Sequence, residues 1–229
     1  MIIIALDPDK DLGEEEKLHN WLKNIIDATK EYVYGYKIGL PLLLAGGPAS
    51  FRYVRSLARD KFVVADLKLA DIGDVMALSI DYLDELGIDG VIAHVFTGYE
   101  DALDKLSERA RERGLRLILV VSMSHRGSRE FIDPYLNNYL SIVKKIGAWG
   151  VVAPATRPEI IRLVRRELGG DVKILAPGIG VQGASPGSAL CAGADYEIIG
   201  RLVTKAHDPR KVIIEIVKMI EESVARCRS

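Results

Sequence analysis

The run Val63-Val64-Ala65-Asp66-Leu67-Lys68-Leu69-Ala70-Asp71-Ile72 starts as an apolar stretch suited to a fully buried strand, then sets three charges where that strand must end. If the strand continues to Lys68, its two-residue period puts Asp66 and Lys68 on one face. Asp71 comes three residues later, where the next segment, Val75 to Leu86, has helical spacing. An unpaired buried charge is costly, so carboxylate, ammonium and carboxylate this close together point to a polar pocket in which they meet. A salt-bridged strand end is the plainer alternative. The rest of the chain decides.

Working outward, strand-like and helix-like segments alternate from end to end. Strands are expected at Ile2–Leu6, Val33–Ile38, Phe62–Lys68, Gly90–His94, Leu115–Val121, Trp149–Ala153, Val172–Leu175 and Tyr196–Ile199. The intervening helices are expected over Glu14–Thr29, Pro48–Arg59, Gly73–Leu86, Glu100–Arg113, Pro134–Ile146, Arg157–Leu168 and Pro186–Ala192, with a last one over Pro209–Ala225. No linker, low-complexity tract or charge block separates these units. Continuous β-branched strands imply parallel pairing with both faces covered. Eight such units predict an α/β fold, a closed (β/α)8 TIM barrel forming a single domain over residues 1–229. An open doubly wound sheet is the alternative, but the GxGxxG turn expected after its first strand is absent.

The 229-residue chain is 48% apolar and 28% charged, a composition with ample core. Its formal charge of −1 gives no support for a nucleic-acid surface. Basic residues at Arg109–Arg113 and Arg162–Arg166 alternate with Glu or apolar residues on expected helices, as a solvated outer face would. The N-terminal Met-Ile-Ile-Ile-Ala-Leu lacks a basic flank and runs straight into Asp7, unlike a signal peptide. No apolar stretch approaches the roughly 20 residues that span a bilayer, so the cytoplasm is the expected location. Cys191 and Cys227 are too few and too oddly placed for a disulfide framework or a metal site. Gln182 is the only glutamine, a hint of a heat-adapted source.

In a (β/α)8 barrel the site lies at the C-terminal strand ends. Those ends carry Asp7, Lys37, Asp66, Lys68, His94, Ser124, Pro154, the Pro177–Gln182 loop and Gly200-Arg201. Nearly every strand thus delivers a charged or special residue to one rim. Pro177-Gly178-Ile179-Gly180-Val181-Gln182-Gly183 is glycine-rich, and with Gly200-Arg201 it reads as a phosphate cradle built from the last two strand-end loops. Arg201 would add a charge-assisted contact, and Gln182 could close over the ligand. Gly183-Ala184-Ser185-Pro186-Gly187 suits a lid.

A phosphorylated small molecule would then set its reacting end over Asp66, Lys68 and Asp71. Between carboxylates Lys68 is expected to stay an ammonium. That suits a fixed acid and electrostatic device. Schiff-base chemistry would instead need a desolvated amine without carboxylates beside it. No Cys/His or Ser/His/Asp constellation is evident, and the four histidines lack metal-ligand spacing.

Ala65-Asp66-Leu67-Lys68-Leu69-Ala70-Asp71-Ile72 resembles the Asp-x-Lys-x-x-Asp-Ile signature of the orotidine 5′-monophosphate decarboxylase family. Further stretches resemble that family in the right order: Ala5-Leu6-Asp7, Lys37 to Leu42, Met123-Ser124-His125, Pro154 to Glu159, Pro177 to Gly183 and Ile199-Gly200-Arg201. The likeness spans Asp7 to Arg201 and is nearest to the short archaeal-type members. It implies decarboxylation of orotidine 5′-monophosphate to UMP and CO2, the last step of de novo pyrimidine nucleotide synthesis. No cofactor and no metal are implied, and the sites would be shared across a homodimer. By that resemblance Asp66 lies beside the departing carboxylate and Lys68 protonates C6. Asp71, followed by Ile72, reaches in from the partner subunit. Asp7 and Lys37 hold ribose hydroxyls, and Ser124 binds the base. Gln182, Gly200 and Arg201 hold the phosphate, Pro177 is a further substrate contact, and Ile92, Val120 and Val152 match the apolar pocket near the carboxylate. One departure is visible: the residue four after Asp71, usually a threonine that supports the cross-subunit ribose contact, is Val75.

The nearest rivals are the magnesium-dependent sugar-phosphate decarboxylases and hexulose-phosphate aldolases, which share the barrel and a similar third strand. They carry glutamate where Lys37 stands and lack the Pro-Ala-Thr-Arg-Pro-Glu stretch. A non-catalytic phosphate-ligand-binding barrel is a second alternative, against which the intact Asp66, Lys68 and Asp71 argue.

Overall fold

Eight parallel strands close on themselves in sequence order in the computed structural model, which describes residues 1–12 and 14–228, the side chain of residue 228 excepted. They are β1 (Ile2–Leu6), β2 (Gly35–Gly39), β3 (Phe62–Leu69), β4 (Gly90–His94), β5 (Arg116–Val120), β6 (Gly150–Val152), β7 (Lys173–Pro177) and β8 (Tyr196–Ile199). β8 pairs back onto β1 through Ile3↔Ile198, so no edge is left open. This is the expected barrel, not an open sheet. Around it run α1 (Glu15–Thr29), α2 (Leu40–Leu57), α3 (Gly73–Glu85), α4 (Asp104–Glu112), α5 (Ser128–Phe131), α6 (Leu136–Ile146), α7 (Pro158–Leu168), α8 (Ser188–Cys191), α9 (Arg201–Thr204) and α10 (Pro209–Arg228).

Strand periodicity sorts the side chains into two separate cores. On β1, Ile2, Ile4 and Leu6 face the helices and join the large outer cluster, while Ile3 and Ala5 point inward. Phe62, Val64, Ile92, Ile118, Val120, Val152, Leu175 and Ile198 complete the inner plug. Tyr34, Trp149 and Tyr196 pack against that plug, and Tyr34 and Tyr196 lie 4.5 Å apart. The barrel interior is therefore filled by side chains. Close strand contact has a local requirement at Gly35, where a Cβ would fall 2.0 Å from the Phe62 carbonyl oxygen.

Three expectations need correcting. The second helix begins at Leu40, not Pro48, because a helical turn precedes Gly47, whose φ of 60° breaks it before Pro48 restarts the spiral. The helix expected from Glu100 starts at Asp104, since Tyr99–Leu103 makes a wider turn with Asp101 at φ 57°. The cysteines are not separate: Cys191 and Cys227 form a disulfide with Cα atoms 5.9 Å apart. Packing of α8 on α10 brings them together, which a separation of 36 residues does not announce. Among the described residues, no helix is long and apolar enough to cross a membrane.

Candidate active site

The site follows from the inner register. One step of two residues beyond the apolar plug, Ala5 leads to Asp7, Gly35 to Lys37, Val64 to Asp66, Val120 to Ser122, Leu175 to Pro177 and Ile198 to Gly200. All of these except Gly35, Val64 and Leu175 line one cavity of about 270 Å³ at the C-terminal mouth. Ile92, Val120 and Val152 form its apolar floor, and Ser124, Gln182 and Arg201 stand in its wall. The structure thus gathers all but two of the predicted residues. Asp71 and Ile72 are the two outside: both are exposed beyond the mouth, where Asp71 accepts the Ile72 N–H at 2.7 Å.

At the centre is an alternating row of charges. The Lys68 Nζ lies 2.8 Å from both oxygens of Asp66. The Lys37 Nζ sits 3.3 Å from Asp66 Oδ2 and 3.4 Å from Asp7. Within one chain the network is therefore Asp7–Lys37–Asp66–Lys68, so Lys37 is an ion-pair partner as well as a candidate ribose contact. The Asp66 side chain is only 9% exposed, and that burial alone would push its carboxyl up. The two ammoniums outweigh burial and hold it below the usual carboxylate range.

Lys68 does not reach this position by regular strand geometry. Its φ is 48°, left-handed for a residue with a Cβ. Ala65 faces Val91 and Leu69 faces Ala93, so β3 advances four residues while β4 advances two. Such strain costs on the order of 1–3 kcal/mol and persists where the surroundings enforce it, commonly at functional sites. The simple alternation that would pair Asp66 with Lys68 is thus replaced by a bulge, from which the ammonium meets Asp66 and lines the cavity. Beside them His94 packs against Phe96, the rings tilted and their centres 4.7 Å apart. Burial, with the Lys68 charge adding to it, depresses the His94 pKa and favours the neutral ring.

The other half of the mouth is made by the glycine-rich loop after β7. Gly180 N–H donates to Ala184 O at 2.8 Å and Ala184 N–H donates to Gly178 O at 3.2 Å, closing the loop on itself. Gly178 has φ 113°, and a Cβ there would meet Thr156 Cγ2 at 3.2 Å. Gly200 follows β8 directly, and Arg201 opens α9 beside it. An exposed guanidinium and a backbone-rich loop facing one cavity suit an anionic group.

Sequence reasoning missed a buried polar cluster behind Ser124. Arg157 donates to Asp133 and to the Met123 carbonyl, and at 2.7 Å to Ser122 Oγ. Ser122 and Ser128 hydroxyls both donate to Asp133 Oδ1, at 2.7 and 2.8 Å, and Met123 N–H donates to Ser128 Oγ. Burial would raise the Asp133 carboxyl, but its bonds to Arg157 and the two serines hold it below the usual range. Both backbone groups of Met123 are thereby fixed, one residue before Ser124. No spacing in the sequence links these residues; Arg157 stands out only as part of the Pro154 to Glu159 stretch, with no sign of its partners.

A filled parallel barrel with lysines and carboxylates at one end of its mouth and a glycine-rich loop beside an arginine at the other has the architecture of a barrel enzyme. The chain belongs to the orotidine 5′-phosphate decarboxylase / HUMPS family, whose model matches residues 1–216. A curated relative, the orotidine 5′-phosphate decarboxylase of Aeropyrum pernix, is 43% identical over 99% of this chain and 89% of its own. Among solved structures, the orotidine 5′-monophosphate decarboxylase of Sulfolobus solfataricus superposes with a TM-score of 0.84 at 33% identity, covering 97% of this chain and 98% of that one. The Methanocaldococcus jannaschii enzyme, solved with inhibitor BMP, gives 0.85 at 27% identity over 96% and 97%.

Proposed function

We propose that the chain, as one barrel domain in the cytoplasm, decarboxylates orotidine 5′-monophosphate to UMP and CO2, the closing step of pyrimidine nucleotide synthesis. The observation that carries this reading is the Lys68 ammonium, 2.8 Å from a buried Asp66 carboxylate at the edge of an apolar floor. In the reaction the bond from C6 to the carboxylate breaks and its electron pair remains on C6. No carbonyl delocalises that pair directly. An ammonium already fixed at that carbon stabilises it more than it stabilises the spread charge of the substrate, and then gives it a proton. Asp66 holds the ammonium in place and repels the substrate carboxylate. Asp7 and Lys37 bind ribose, Ser124 binds the base, Gln182, Gly200 and Arg201 hold the phosphate, and Pro177 is a further substrate contact. Distant phosphate contacts supply binding energy for orienting the reacting end.

Two further features support the reading. Asp66 is flanked by two ammoniums, which disfavours a divalent cation there and supports metal-free chemistry over the magnesium-dependent rivals. Ile72, Val75, Leu78 and Tyr82 form an exposed apolar stripe along one face of α3, with Phe96 also exposed, and the stripe begins beside Asp71. A second copy covering it would form a homodimer and carry Asp71 and Ile72 to the neighbouring mouth. The direct test follows orotidine 5′-monophosphate absorbance in excess EDTA. Sustained turnover to UMP is expected; loss of turnover restored by magnesium would favour the rival chemistry, and none under any condition would leave a binding protein.

A further inference from the structure

The buried carboxylate of Glu197 has no part in the chemistry above, yet it lies on the strand that leads into Gly200-Arg201. It is fully buried on the helix-facing side of β8, where neighbouring strands present Ile2 and Ala176. Burial raises its carboxyl above the ordinary value, so an apolar side chain would cost less there. Its oxygens are spent on one object. Oε2 accepts the Gly187 N–H at 2.9 Å and Oε1 accepts the Ala189 N–H at 3.0 Å. Those amides begin α8, a helix of four residues that cannot satisfy its own first donors.

Gly187 is also the last residue of the segment that leaves β7 at Pro177 and carries Gln182. We infer that Glu197 is a positioning residue for phosphate recognition: it fixes the far end of the Gln182 loop to the strand that delivers Arg201, holding the two halves of the cradle in register. The chain separation is three residues from Glu197 to Gly200, a rigid strand length. Between those ends the loop turns through Gly178, Gly180 and Gly183, all at positive φ. A Cβ on Gly183 would meet nothing within 4 Å. The anchored end is different. A Cβ on Gly187 would fall 2.5 Å from Ser223 Cβ, and the Cys191–Cys227 disulfide ties α8 to α10. Glu197 alone among these ties connects the loop end to β8.

This role rests on the reading of the cradle as the phosphate site, and the test separates the two. Affinities for UMP and uridine are measured by calorimetry on wild type and Glu197→Gln, with kcat and KM for orotidine 5′-monophosphate alongside. Wild type should prefer UMP over uridine; equal affinity there would overturn the phosphate assignment itself. With that preference established, Glu197→Gln should bind UMP about tenfold more weakly and raise KM similarly, because one amide oxygen cannot accept both N–H groups. Uridine affinity and kcat should stay unchanged. UMP affinity equal to wild type, or parallel losses for UMP and uridine, would reduce Glu197 to a structural residue. Hydrogen exchange on the wild-type chain gives an answer even if the variant does not fold. The Gly187 and Ala189 amides should exchange far more slowly than those of Val181 and Gln182. Equally fast exchange would show that the loop end is not anchored.

Discussion

At the scale of single residues the proposed chemistry concentrates on Lys68. Lys68→Ala should lower turnover by about 10³-fold or more, in line with loss of a general acid that also stabilises charge, while UMP still binds. Single-turnover kinetics and UMP titration check both halves; substantial residual turnover would remove Lys68 from its role. Asp66 makes a separate prediction through pH. Its folded-state pKa is depressed by Lys37 and Lys68 despite burial. The stability it contributes is therefore complete above its unfolded value, about 3.9, and is lost as pH falls through the lower folded value. In Asp66→Asn the unfolding free energy should fall less steeply below about pH 4 than in wild type. Parallel curves would mean that the ion pairs do not stabilise the fold. Asp66 and Lys68 were legible in the sequence because charges at the end of an apolar strand are costly without partners. The backbone reversal at Lys68 was not, since alternation alone gives no sign of a positive φ.

At the scale of elements, the loop after β5 is where a buried ion pair holds Ser124, the proposed contact to the base. Arg157 and Asp133 have side chains only 10% and 16% exposed. Removing one partner leaves the other charge buried, so Asp133→Ala should destabilise the protein by about 3–5 kcal/mol in urea unfolding. Asp133→Asn, which keeps acceptor and donor atoms, should cost less; equal costs would show that charge is not what holds the loop. Strand and helix order was legible because apolar period separates the two element types. Element ends were less so. Gly47 divides α2 and Asp101 delays α4 through backbone conformations that hydrophobic pattern does not encode. The Arg157 cluster joins Ser122, Asp133 and Arg157, whose partnership depends on how three loops meet.

At the scale of the whole molecule, eight repeats of strand and helix sufficed to predict closure, because a parallel sheet with both faces covered and one polar rim has few other solutions. The Cys191–Cys227 bond lay outside that logic: it depends on how α8 packs against α10, which the strand–helix repeat does not specify. The α3 stripe carries the last prediction. Leu78 and Tyr82 are 54% and 61% exposed, high for large apolar groups that share a helix face with Val75. Leu78→Glu with Tyr82→Glu would set like charges against each other across a two-fold contact and should yield monomers by sedimentation. Activity should fall with assembly, because Asp71 stands outside its own chain's cavity. Subunit mixing makes the point sharper. Lys68→Ala and Asp71→Ala proteins should each be nearly inactive. Unfolded together and refolded, half the dimers should be mixed, and each mixed dimer should hold one mouth with both residues intact. About a quarter of wild-type activity should return if the mouths are shared. No recovery from stable mixed dimers would mean that Asp71 acts within its own chain or not at all.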